Sequence, residues 1–276
     1  MYYLVTTSHA LLLVNSKKGS YREIHSGVGL YYGISQDHSR IFVAARGQLN
    51  SSGTPPQNER GCILIFDQSL RLAETWESPF PLRDMHQILW WRERLWITCS
   101  FDNMIAITNG GEWREWYPFG ISDTEPLDRN HFNSLTPSRD ELIIIATNRG
   151  ASDMLHFDAA TLTLRSQSSI GTHAHNAWRQ GDEWLTCSSG EGRIIGTKGF
   201  SLTCGRFPRG VAITKHEIAV GLSEPAERRE RDLTDGAINF YTRMWKHFGT
   251  IDLPQSGLVL DIQAVDSKWL NEAALH

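Results

Sequence analysis

Short apolar runs rich in Val, Ile, Leu, Thr, Trp and Phe recur along this chain, separated by clusters of Gly, Asp, Asn and Ser. Sustained helical periodicity is scarce, so the pattern predicts strands and tight turns rather than helices. Two stretches share one cassette: a polar side chain on an apolar strand, a turn, then a second apolar strand. They read MHQILWWRERLWITCS (85–100) and THAHNAWRQGDEWLTCS (172–188). His86 and His175 lie 89 residues apart, while Trp96 and Trp184, and likewise Cys99 and Cys187, lie 88 apart. That spacing divides into two steps of about 44 residues, the length of a four-stranded propeller blade.

The first apolar residue of each second strand marks the repeat: Ile41, Trp96, Leu142, Trp184 and Ile218. Third strands follow as CILIFD, NMIAITN, DMLHFDA, RIIGTKG and AINFYTR, and polar outer strands follow those. Blades 1 to 5 are thus expected at approximately 29–80, 81–120, 128–170, 171–206 and 207–254. The ends supply the sixth. GLVLDIQAVD (257–266) reads as an inner strand without partners, and residues 2–26 read as three outer strands without an inner one. Pairing 257–276 with 1–28 removes exposed sheet edges. The prediction is an all-β, six-bladed β-propeller forming a single domain over 1–276, its last blade closed by N-terminal strands on the C-terminal strand. SKWLNEAALH (267–276) is either a further strand or a short tail.

Composition narrows the function classes. The 276 residues carry 27 basic and 31 acidic side chains, a formal charge of −4, so no broad cationic field is available for a phosphate backbone. Nucleic acid is not expected as a partner. The opening MYYLVTTSHALLLVNSKKG has no basic leader before its apolar run, which is too short to span a bilayer. A cytoplasmic protein with no membrane partner is expected. The four cysteines lack CxxC spacing, and the matched pair Cys99 and Cys187 reads as small buried apolar residues.

In a propeller the starts of the inner strands and the loops between second and third strands share one face. Two long insertions, 47–61 and 224–236, fall in such loops, in blades 1 and 5. Counting back nine or ten residues from each marker gives Tyr32, His86, Asn133, His175 and Arg209, and the closing blade offers Asp261. Polar groups at these places in otherwise apolar strands suit a polar ligand site. His86, His175 and Asp261 would stand at about 120° intervals and could hold one divalent metal ion. Tyr32, Asn133 and Arg209 would orient an anionic ligand. His131 and His173, two residues ahead of Asn133 and His175, would complete the metal shell or serve as general acid and base. Arg228 and Arg229, among the alternating charges of the blade 5 insertion, form either a self-compensating loop or a clamp on an anionic group.

At MHQILWW, THAHNAW and FPRGVAITKHEIAVGLSEPAERRERD the chain resembles an uncharacterised bacterial propeller family, a domain of unknown function, over blades 2 to 6. The resemblance implies the propeller fold and marks Arg209 and the loop from Glu224 as family features. More distantly the architecture is similar to gluconolactonase-like six-bladed propellers with an axial metal, without a clear counterpart of their early metal-binding Glu. The expected function is an enzyme on a small polar or anionic metabolite, of hydrolase, lactonase, lyase or isomerase class, using an axial His-rich site. The alternative is a non-enzymatic propeller that binds a metabolite or partner protein through the same face.

Overall fold

The protein is described by a computed structural model, covering residues 1–47, 55–121, 128–271 and 274. Its strands in chain order begin with β1 (Tyr2–Thr7), β2 (Ala10–Asn15), β3 (Ser20–Ser26), β4 (Tyr31–Gln36), β5 (Ile41–Ala45), β6 (Cys62–Phe66) and β7 (Leu72–Trp76). Next come β8 (Met85–Trp91), β9 (Arg94–Cys99), β10 (Met104–Thr108), β11 (Trp113–Trp116), β12 (Phe132–Ser138), β13 (Glu141–Ala146), β14 (Ala151–Asp158) and β15 (Leu164–Thr172). The last are β16 (Ala174–Gln180), β17 (Glu183–Ser188), β18 (Arg193–Gly196), β19 (Ser201–Thr203), β20 (Phe207–Ile213), β21 (Glu217–Ser223), β22 (Gly236–Thr242), β23 (His247–Leu253) and β24 (Val259–Val265).

These strands form six four-stranded antiparallel sheets, the blades of a six-bladed β-propeller. Five sheets are consecutive in sequence, and the sixth has the order β24-β1-β2-β3, so the C-terminal strand supplies the inner edge of a blade begun at the N-terminus. Residues 266–270 turn instead of forming another strand, and Trp269, Leu270 and Ala274 pack on the core that holds Leu4, Leu13, Tyr31 and Phe66. Among the described residues no helix is long and apolar enough to cross a membrane.

Burial follows strand position. β5 and β12 to β13 are mostly buried, whereas β7 and β15 are exposed over most of their length. Inner and middle strands are covered on both faces and read as continuous apolar runs; outer strands meet water and alternate or turn polar. Cys99 and Cys187 are both buried free thiols, as their matched places predict.

The chain divides into two compact units. Unit 1 comprises Met1–Glu77 with Arg209–His276, and unit 2 comprises Ser78–Pro208. Unit 1 has cores around Leu4, Tyr31 and Phe66 and around Val5, Ile238 and Leu253. Unit 2 has cores around Trp96, Phe132 and Phe157 and around Ile143, Met154 and Ile170.

One local feature positions the chemistry. The pairing of the inner strand slips by one residue between Tyr31 and Ile34, Met85 and Ile88, Phe132 and Ser134, His175 and Ala177, and at Thr6/Thr7 opposite Asp261. A β-bulge re-aims the side chains at and beside it. Repeated threonines hold the bulges in shape. The amides of His86 and Gln87 donate to Thr98 Oγ1 at 3.2 and 3.0 Å, and the hydroxyl of Thr186 donates to the carbonyls of His175 and Asn176 at 3.2 and 2.7 Å. Neighbouring blades within a unit are tied through the same places. Gln87 Oε1 accepts from Leu135 N, Ser134 Oγ accepts from Asn176 N, and Asp261 Oδ2 accepts from Ile34 N.

Candidate functional site

In unit 2 the polar residues at the head of two neighbouring inner strands meet. Asp84, His86 and His131 offer one ligand atom each, and the three atoms lie within 4.8 Å of one another. His86 Nε2 is 3.5 Å from Asp84 Oδ1, and the two imidazoles stand edge to face with centroids 4.5 Å apart. Backbone geometry builds this arrangement. Asp84 and His131 each take left-handed φ, 53° and 48°, immediately before their strands begin, and His173 does the same at 46° ahead of β16. Non-glycine residues adopt this conformation at a cost, Asp and His more readily than most, and such strain gathers at functional sites. In the short 3-10 turn Ser100–Asp102, Ser100 N donates to Asp84 O at 3.2 Å. Beside it Arg83 pairs with Asp102, whose carboxyl is raised by burial and drawn back only in part by that guanidinium.

A second layer fixes His131. Its Nδ1 lies 2.9 Å from both oxygens of buried Asp128, which also accepts from Arg149 Nε at 3.2 Å. The same Nδ1 lies 3.8 Å from Asp84 Oδ2, so the ring sits between two carboxylates, the outer one orienting it as such partners orient metal-bound histidines. Two residues further along β12, Asn133 is buried; its Oδ1 accepts from the Ser134 hydroxyl at 3.0 Å, while its Nδ2 has no hydrogen-bond partner among the described residues.

The donor set suits a divalent transition metal: two imidazoles and a carboxylate leave positions for water or substrate. Ligand atoms about 2.1 Å from a tetrahedral ion stand about 3.4 Å apart, so atoms spread over as much as 4.8 Å would draw together on binding.

The expected metal ligands His86, His175 and Asp261 are thus not the set that the structure groups. His86 is retained, but with Asp84 and His131 beside it. His175 Nδ1 contacts His173 O at 2.8 Å and Ser189 Oγ at 2.9 Å, which fastens the ring to its own blade. Asp261 belongs to unit 1, where its two oxygens accept from Ile34 N and Ile262 N at 2.9 Å each. Burial raises its pKa to about 6, against the lowering pull of those amides and of Arg209. It therefore supports the bulge of β4, as Gln87 and Ser134 support their neighbours. His131, expected either in the metal shell or in proton transfer, is one of the grouped donors, and His173 lies at the corresponding place in the next blade.

Unit 1 assembles its own polar cluster from the matched residues Tyr32 and Arg209 together with Arg46 after β5 and Glu59 before β6. Arg46 donates to both oxygens of Glu59 at 2.7 Å each and to the Tyr32 hydroxyl at 3.0 Å. The guanidiniums of Arg46 and Arg209 lie 4.9 and 5.1 Å from the centre of the Tyr32 ring. Tyr32, Arg46, Glu59, Arg209 and Asp261 are all buried. Gly210 follows Arg209 at φ +76°, and a Cβ there would come within 3.0 Å of the Asp261 backbone, so only glycine fits. Arg228 and Arg229 are exposed in the β21–β22 connection. Of the blade 1 insertion, residues 48–54 lie outside the described residues.

Sequence reading passed over Asp84 and Asp128. Asp84 had a signal: it precedes His86 by two residues, as His131 precedes Asn133 and His173 precedes His175. Asp128 had none, because its partner is set by the conformation of the loop before β12.

The fold has counterparts among solved structures. A chain from the crystal structure of a nidogen/laminin complex matches with TM-score 0.67 and 10% identity, over 95% of this chain and 97% of that one. A computationally designed protein, Ika8, matches with TM-score 0.48 and 10% identity, over 95% and 74%. No protein-family model matches the sequence, and no curated protein does. At such identity the first match establishes the propeller fold alone.

Proposed function

We propose that this propeller is a metal-dependent enzyme of hydrolase or lyase class, acting on a small polar or anionic molecule at the Asp84–His86–His131 cluster. The observation that carries the reading is the meeting of two imidazoles and one carboxylate within 4.8 Å at the heads of two inner strands. A bound divalent ion there supplies Lewis acidity and an activated water, chemistry suited to hydrolysis, lactone opening, elimination or isomerisation.

The chain's own groups have separate tasks in this reading. Asp84, His86 and His131 hold the ion. Asp128 keeps the His131 ring in one orientation and one tautomer, with Arg149 balancing its charge. Asn133 Nδ2, buried without a partner among the described residues at a cost of about 1–3 kcal/mol, is an amide donor for a substrate oxygen. His173 moves a proton from the adjoining blade.

The test is metal analysis of the protein after supplementation with Zn²⁺, Mn²⁺, Fe²⁺ or Co²⁺, alongside His86→Ala and His131→Ala. One equivalent of metal in the wild type, lost in both variants while circular dichroism stays unchanged, is expected. No metal in the wild type, or equal metal in the variants, defeats the proposal. Tight metal binding without turnover of lactones or esters would leave a binding propeller instead of an enzyme.

A further inference from the structure

Unit 2 has a cavity at the opposite ends of its strands. It measures about 660 Å³, and its lining includes Arg92, Arg94, Trp96, Trp113 and Arg114. These residues come from the β8–β9 turn, β9 itself and β11, while the β14–β15 turn closes another side through Ala159–Leu162. Asp84 stands at the head of β8 and Arg92 at its foot. Seven strand residues between them span roughly 23 Å at about 3.3 Å each. A molecule in this cavity cannot touch the His cluster.

We infer that the cavity binds a small molecule that joins an anionic group, carboxylate or phosphate ester, to a flat aromatic body. Charge is the first reason. Three guanidiniums line the cavity against one carboxylate, Glu112, in a chain whose formal charge is −4. The Arg94–Glu112 pair is 3.9 Å apart with the Glu112 side chain 80% exposed, so water screens it and the carboxylate does not cancel the local excess.

Preorganisation is the second. Arg92 donates to Ala159 O and lies 4.4 Å from the centre of the Trp91 ring, which fixes its guanidinium across two blades. The turn that delivers it takes left-handed φ at both Arg92 (52°) and Glu93 (58°), although neither is Gly or Asn. In the matching β16–β17 turn Gly181 takes that conformation. A planar guanidinium is the side chain that pairs with carboxylate or phosphate in fixed geometry. The indoles of Trp96 and Trp113, with Ile107 and Leu162, supply the apolar walls that a bare inorganic anion would leave unused.

The experiment titrates the full chain with phenyl phosphate and with benzoate by calorimetry and tryptophan fluorescence, with inorganic phosphate and benzyl alcohol as partial probes. Saturable one-to-one binding of at least one aryl anion is expected, at least about tenfold tighter than either partial probe. Arg94→Ala and Arg114→Ala, at partly or fully exposed side chains, should each weaken it about three- to tenfold, and the double variant more. His86→Ala should bind as the wild type does, whatever that variant does to metal content. Absence of saturation up to about 10 mM overturns the inference, since such a Kd is below 3 kcal/mol of binding. So does binding that survives the double Arg variant, or binding that His86→Ala removes, which would place the probe at the His cluster.

Discussion

Each unit gathers polar residues around its inner strands, and the two gatherings are built differently. In unit 1, Arg46, Glu59 and Tyr32 answer one another, Arg209 lies against the Tyr32 ring, and both oxygens of Asp261 accept backbone amides. In unit 2, Asp84, His86 and His131 bring ligand atoms together, and the buried amide donor of Asn133 has no partner among the described residues. A closed network of opposite charges contributes order to the fold but leaves nothing for a ligand. Two imidazoles beside a carboxylate, one of them held by the outer carboxylate of Asp128, form a donor set of the kind that suits a divalent cation. Residue type at the bulge, and not the bulge itself, separates structure from chemistry.

The widest gap between the regions should open on removing one member of the unit 1 ion pair. Glu59→Ala leaves the Arg46 charge buried and should cost about 3–5 kcal/mol in urea denaturation, with metal content per folded chain unchanged. A loss under about 1 kcal/mol would break the contrast, because Arg46 would then need no internal partner. In unit 2 the effects reverse. His131→Ala should weaken metal binding by about 10³-fold, more than the loss of an outer-shell group, yet change unfolding free energy by only about 1 kcal/mol or less. A large stability loss with metal affinity intact would assign His131 to structure.

Asp261 sharpens the comparison through pH. Its folded pKa of about 6 lies above the ordinary carboxylate value, so the native state holds the proton more tightly than the unfolded chain. Its contribution is therefore most favourable below about pH 4 and is lost as pH rises through about 6. Between pH 4 and 7 the wild type should lose about 1–3 kcal/mol relative to Asp261→Asn, read from paired denaturation curves. Parallel curves for the two proteins would show that the carboxyl is not held in that state.

The smaller effects lie behind His131. Asp128→Asn should reduce metal affinity about 10- to 100-fold, with Asp128→Glu recovering part of it. Arg149→Ala, at a side chain 65% exposed, should change affinity less than about threefold. An Arg149 effect equal to that of Asp128 would mean that the guanidinium, and not the carboxylate, holds the ring.

Much of this was legible in the residues. Thr98 and Thr186 stand 88 apart, like the Trp and Cys pairs that flank them, and they turn out to pin equivalent bulges. His86 and His131 were identifiable as polar interruptions of apolar strands, and His131 finds its metal-type partners in a neighbouring blade. Asp261 shows the limit. Its spacing matches the other inner-strand residues, but a carboxylate one residue beyond a bulge turns sideways to a neighbour's amide, and period alone does not report that turn. His175 likewise keeps its place in the count while its ring is tied to His173 O and Ser189.

By itself the sequence determined the six repeats, the closure of the last blade by both chain ends, the gradient from buried inner to exposed outer strands, and the positions where polar groups interrupt the core. Those features follow from local alternation and turn chemistry, which neighbouring residues encode. Only the tertiary structure decided which polar groups meet. Asp84 joins His86 and His131 because bulges and left-handed residues at two strand heads, 47 residues apart in sequence between Asp84 and His131, aim side chains toward one point. Changes of backbone direction that small leave the hydrophobic pattern intact, and so they leave no mark in it.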